Sequence, residues 1–124
     1  VFILGKYFST KNKIMKSRVE QLQEFLKEDS SDSFLKYALA LEYVRVKEYE
    51  TARDCFLKLI KDDENYIASY YQLGKVYESL NCLANAIEIY KKGIKIAKKS
   101  EHKKTLLELQ EAYNMLIEID DDGL

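Results

Sequence analysis

The sequence predicts an all-α fold of antiparallel helix pairs, and three observations carry that prediction. Apolar and small residues recur at helical steps: Leu73, Gly74 and Tyr77 follow Tyr70 on one face, and Ala86, Tyr90 and Gly93 make a second. The chain holds no proline and only four glycines, so little interrupts a helix. Finally, the pattern recurs. A step back of 34 residues takes Leu73 to Leu39, Gly74 to Ala40, Tyr77 to Tyr43, Leu83 to Tyr49, Ala86 to Ala52 and Tyr90 to Phe56.

Two helix–turn–helix units at this period resemble the tetratricopeptide repeat, whose pattern runs W-x2-L-G-x2-Y, then A-x3-F and a closing proline. The resemblance spans roughly residues 16–119 and is strongest over 33–97. It implies a short right-handed superhelical array of helix pairs, an α-solenoid, serving as a protein–protein interaction scaffold or adaptor. Departures from the family have consequences. Lys47 stands where a turn glycine is common, so that turn is expected to be less relaxed. No proline stands near Glu64, leaving the acidic residues and Asn65 of 62–65 to supply the turn chemistry.

Taken in order, residues 1–14 lack helical period and read as a flexible N-terminal extension. Two accounts stay open: a natural start at Met15, or an arm whose Phe2, Ile3, Leu4, Tyr7 and Phe8 dock on the domain. Residues 15–32 hold a leading helix, a half-repeat with Val19, Leu22, Phe25 and Leu26 as its stripe. Ser31 or Asp32 can cap the helix that follows. Residues 33–66 form repeat one, with helices over 33–46 and 48–61. Residues 67–100 form repeat two, with helices over about 66–80 and 83–98 and a turn at Asn81. Residues 101–119 read as a capping helix with Leu106, Leu109, Tyr113 and Leu116 inward, and 120–124 as a solvated acidic tail.

Composition narrows the function. One domain fits 124 residues, with 47% hydrophobic and 33% charged content. A formal net charge of −1 supplies no overall field for nucleic acid or an anionic membrane. VFIL at the start is too short for a membrane span. The lysines from Lys91 to Lys104 read as a solvated face that suits a helix C-terminus. Cys55 and Cys82 fall at non-equivalent places and read as free thiols of a reducing, cytoplasmic setting. No phosphate loop, nucleophile motif or metal spacing occurs, and the single histidine, His102, sits at a connection. Expected, therefore, are no catalytic residues, no metal and no cofactor.

In the family, first helices of successive repeats line a concave groove. The resemblance places Phe34, Tyr37, Leu41 and Val44 of repeat one in it, with Ala68, Tyr71, Lys75 and Glu78 of repeat two. In the cap helix the same places are His102, Thr105, Leu109 and Ala112. The implied partner is an apolar or amphipathic protein or peptide segment, anchored on Tyr37 and Tyr71. Two readings of the apolar stripe stay open: the protein covers it itself, or it is exposed to a partner. The alternative role is a homodimer formed through the same surface. Where some relatives grip chaperone carboxylate tails with a Lys/Asn clamp, the first-repeat places here are Tyr37 and Leu41, and Lys75 and Gln72 alone do not rebuild it.

Overall fold

The structure is a computed structural model that describes residues 17–123, with side chains described for 17–119. The extension expected over residues 1–14 lies outside the described residues. Six helices follow one another among them: α1 (Arg18–Glu28), α2 (Ser33–Arg45), α3 (Tyr49–Asp62), α4 (Ala68–Ser79), α5 (Leu83–Lys99) and α6 (Lys103–Gly123). Each packs chiefly on the next. In addition α2 touches α4 and α4 touches α6, so these three form one wall of the array.

The helix starts follow from local chemistry. Ser17 caps α1, its hydroxyl accepting from the Glu20 amide at 3.1 Å. Of the two candidates for the next cap it is Asp32 that serves, accepting from Leu35 N at 3.0 Å. Ser31 turns back instead to the Asp29 carboxylate.

The two hairpin turns are built alike. Lys47 and Asn81 both take left-handed backbone, at φ 63° and 58°. In each, the next amide reaches back to a tyrosine carbonyl, Glu48 N to Tyr43 O and Cys82 N to Tyr77 O, both at 2.8 Å. These are Schellman closures, which satisfy carbonyls the helix end would orphan. The turn without proline is held from above. The Tyr70 phenol donates to the Glu64 carbonyl at 2.7 Å, and the Ser33 hydroxyl donates to Asp63 at 2.8 Å.

Buried aromatics fill the spaces between helices. Phe56, Tyr70, Leu73, Tyr90 and Leu109 are all fully enclosed. The small residues mark close approaches. A side chain at Gly74 would fall within the Tyr90 ring, and a Cβ at Gly93 would come to 2.6 Å from Tyr70 Cβ.

Three expectations need correction. Phe25 was read as part of the buried stripe of α1, but it is half-exposed, and Leu22 alone in that helix is fully buried. The final helix does not stop at Ile119; it runs on through Gly123, since no proline or earlier glycine stops it. The third concerns how α6 seats. The groove places counted from the repeats include Leu109 and Ala112, yet both are buried, while Leu107, 34 places after Leu73, is 60% exposed. The stripe of Leu106, Leu109, Tyr113 and Leu116 is the register that holds. α5 is the cause. It has 17 residues against 14 in α3, and only Ser100–His102 separate it from α6. With the shorter connection offsetting part of the extra length, α6 starts one place later than the repeat spacing gives, and its buried leucine stands at 109 rather than 107.

Candidate functional site

The wall made by α2, α4 and α6 carries most of the residues expected in a groove. On α2, Phe34 stands 65% exposed, while Tyr37, Leu41 and Val44 are half-buried against the core. The protein thus covers three of the four in part and leaves the fourth open. Tyr37 is held by rings on both sides. Its centroid lies 6.0 Å from that of Phe56, edge-on, and 5.2 Å from that of Tyr66.

The Tyr37 phenol is influenced from all three helices. Burial lifts its pKa above the ordinary value, while the Gln72 amide beside it, a donor, works the other way. Tyr66 and the Glu108 carboxylate add to the lift. Gln72 of α4 and Glu108 of α6 thus both act on the phenol of Tyr37 on α2. Neither is among the groove places counted from the repeats: Gln72 enters there only beside Lys75 as a candidate clamp, and the 34-residue step puts Glu108 at a small-residue packing position.

The α4 part of the wall is a linked polar set. Lys75 Nζ lies 5.6 Å above the centre of the Tyr71 ring and 3.6 Å from Glu78. Tyr90 reaches Glu78 from the far side, its phenol donating to that carboxylate. This contact depends on Gly74, since only a missing Cβ lets the Tyr90 ring through. Burial pushes the Tyr90 phenol strongly up, and Glu78 pushes it further. Tyr90 thus stays a proton donor and holds Glu78 as an acceptor facing Lys75.

The cap helix contributes differently from expectation. Leu109 is not a groove residue; it is fully buried, with Cδ1 3.1 Å from the place a Gly93 Cβ would occupy. Ala112 is buried as well. Thr105 is half-buried and His102 exposed, and these two border a recess of about 310 Å³ with Asn65, Tyr66 and Ala68. The recess continues the wall past Tyr37, whose ring contacts Tyr66.

A second feature lies on the other side of α2. Leu26, Leu39, Cys55 and Leu59 line a largely apolar cleft of about 260 Å³, rimmed by Lys36 and Lys58. Burial raises the Cys55 thiol pKa, with the nearby Asp54 charge adding to it and Lys58 opposing, which favours the protonated thiol. Among the described residues, no three His, Cys, Asp or Glu side chains are placed to hold a metal. No helix among them is long and apolar enough to cross a membrane.

Known proteins give the arrangement a context. A tetratricopeptide repeat profile matches residues 67–100. No curated protein matches the chain. Among solved structures, a tetratricopeptide repeat domain protein from Salinibacter ruber is 38% identical, with 68% of this chain and 96% of that one aligned at a TM-score of 0.66. A Bordetella parapertussis protein shares the fold at 21% identity, covering 86% of this chain and 92% of its own, with a TM-score of 0.76. So does the TPR2B domain of yeast Sti1, solved as a complex with pHsp70, at 16% identity, 92% and 90% coverage and a TM-score of 0.76.

Proposed function

Since the chain belongs to the tetratricopeptide repeat family, a family of protein-interaction modules, we propose that it binds an apolar or amphipathic segment of another protein along the α2–α4–α6 wall. One observation carries this reading. Phe34 leaves an aromatic ring open to solvent at the end of a row whose other members, Tyr37, Leu41 and Val44, are only half covered. A peptide lying there would seat on Phe34 and Tyr37 and then meet Tyr71, whose ring is backed by Tyr90 at 6.4 Å. Rigid aromatics of this kind bury much area at small cost in side-chain freedom. Lys75 and Glu78 would set orientation, already paired and so held in place before a partner arrives.

Leu109 has no part in this site, and neither repeat offers a lysine clamp for a carboxylate tail. Lys75 is engaged by Glu78 and Tyr71. The same surface on a second copy is the competing occupant.

Peptide selection from a random helical library tests the proposal. The wild-type chain is compared with Phe34→Ser, which alters an exposed side chain and should leave the helices intact, and with Tyr71→Ala. Enriched peptides should lose about tenfold or more in affinity on each variant, the scale of one anchor residue. Retention of every selected peptide by both variants would remove this wall from consideration.

A further inference from the structure

We infer that the segment taken up by this wall is a basic one: an amphipathic helix with its apolar face toward Phe34 and Tyr37 and lysines or arginines toward α6. The inference rests on the binding wall proposed above and adds the partner's charge. α6 supplies the argument. Its buried side is set by Leu109, Ala112 and Leu116. The flank beside it begins at half-buried Glu108, on a helix packed against α4, and the charge of Glu108 also bears on the Tyr37 phenol of α2.

Residues three, four, seven and eleven places along a helix share a side. Glu111, Met115 and Ile119 therefore continue the flank that Glu108 begins, and Glu118 borders it. Met115 is 62% exposed, and Ile119 is also open. None of Glu108, Glu111 and Glu118 makes an ion pair among the described residues. Lys104 is the cation on this side, at the end nearest the recess.

The two edges of the wall thus differ. The α2 edge is aromatic and aliphatic, with its charges already matched: Lys36 to Asp62 at 3.2 Å, and Arg45 to Glu42. The α6 edge sets unmatched carboxylates between exposed apolar side chains. α4 between them is neutral as a pair, Lys75 with Glu78. A helix that is apolar on one side and cationic on the next matches both edges at once. An acidic tail would bring its charge against Glu108 and Glu111, and a neutral helix would leave them without partners.

Three synthetic peptides of roughly five turns test this, sharing one apolar face and carrying lysine, glutamine or glutamate on the adjoining positions. They are titrated against the full chain at low and high salt. The lysine peptide should bind about tenfold tighter than the glutamine peptide at low salt, lose that advantage as salt rises, and leave the glutamate peptide weakest. Glu108→Gln/Glu111→Gln keeps size and helical preference. It should bring the lysine peptide down to the glutamine peptide's affinity without changing the latter. Phe34→Ser should weaken both.

Equal binding of the lysine and glutamine peptides, with both weakened by Phe34→Ser, overturns the basic partner and leaves the wall standing. Binding indifferent to Phe34→Ser overturns the wall and this inference together. Light scattering that shows a dimer dissociated by Glu108→Gln/Glu111→Gln makes a second copy the occupant and overturns it as well.

Discussion

Lys47 and Asn81 hold the same place in successive hairpins and the same left-handed backbone, but only one of them suits it. Asparagine tolerates that conformation because its short polar side chain can bond locally. Lysine crowds its Cβ against the following carbonyl, at a cost of about 1–2 kcal/mol. Lys47 persists because the surrounding bonds fix it: its own amide reaches Val44 O at 2.9 Å, and the next reaches Tyr43 O. The side chain itself is exposed. Lys47→Gly should therefore raise unfolding stability by about 1 kcal/mol, after the greater freedom of glycine in the unfolded chain is subtracted. Urea denaturation with an unchanged m-value measures it. A lower midpoint for the variant would mean that the lysine side chain has a stabilising role the structure does not show. The equivalent change at Asn81 should give a smaller gain, because the strain it removes is smaller.

The seating of α6 shows where sequence reading works and where it stops. The helix pairs of 33–100 were legible because each rests on local signals: apolar residues at helical steps, no proline, and small residues set against aromatics. The strained turn at Lys47 was legible from the glycine the family commonly has there. The start of α6 at Lys103 was legible too; its groove places were not, because they depend on how far α5 runs. α5 continues through Lys99, where Ser100 Oγ bonds back to Ile96 O at 2.8 Å and Glu101 turns the chain at φ 58°. The missing proline at the end of repeat two allows for that overrun, but the count of groove places by 34 does not include it. The stripe of Leu106, Leu109, Tyr113 and Leu116 did point to the inward face, but the groove places counted from the repeat contradicted it at Leu109. The same slip hid Glu108 from view as a groove residue. A pair of substitutions separates the two registers. Leu109→Ala should cost about 2–5 kcal/mol, as deletion of a closed core side chain does, while Leu107→Ala should stay within about 0.5 kcal/mol. The reverse order in thermal or urea unfolding would restore the 34-residue register and place Leu109 back on the surface.

Taken whole, the array packs several tyrosines into and around its core, and that makes its stability respond to alkali. Ten of the 124 residues are tyrosine. Tyr37, Tyr66, Tyr70, Tyr77 and Tyr90 all have their phenol pKa raised, in each case first by burial. Tyr70 is pushed up to about 12, with Glu64 and Asp63 adding to the desolvation. These side chains span both repeats and the joint between them, so they act on one cooperative unit. Below pH about 10, the ordinary phenol value, folded and unfolded chains both keep these protons, and no stability is linked to them. Above it the unfolded chain releases protons first. It then binds fewer than the folded chain, and stability must fall as pH climbs through the raised folded values. Lysines titrate over the same range, so the readout is a difference. Tyr70→Phe loses the bond to Glu64 and should begin about 1 kcal/mol less stable at neutral pH. Its melting temperature should then decline less steeply than wild type above pH about 10. Tyr90→Phe should do the same, with Glu78 left short of a donor. Parallel declines for wild type and both variants would show that lysine loss alone governs alkaline unfolding, and that the buried phenols do not couple proton release to the packing of the repeats.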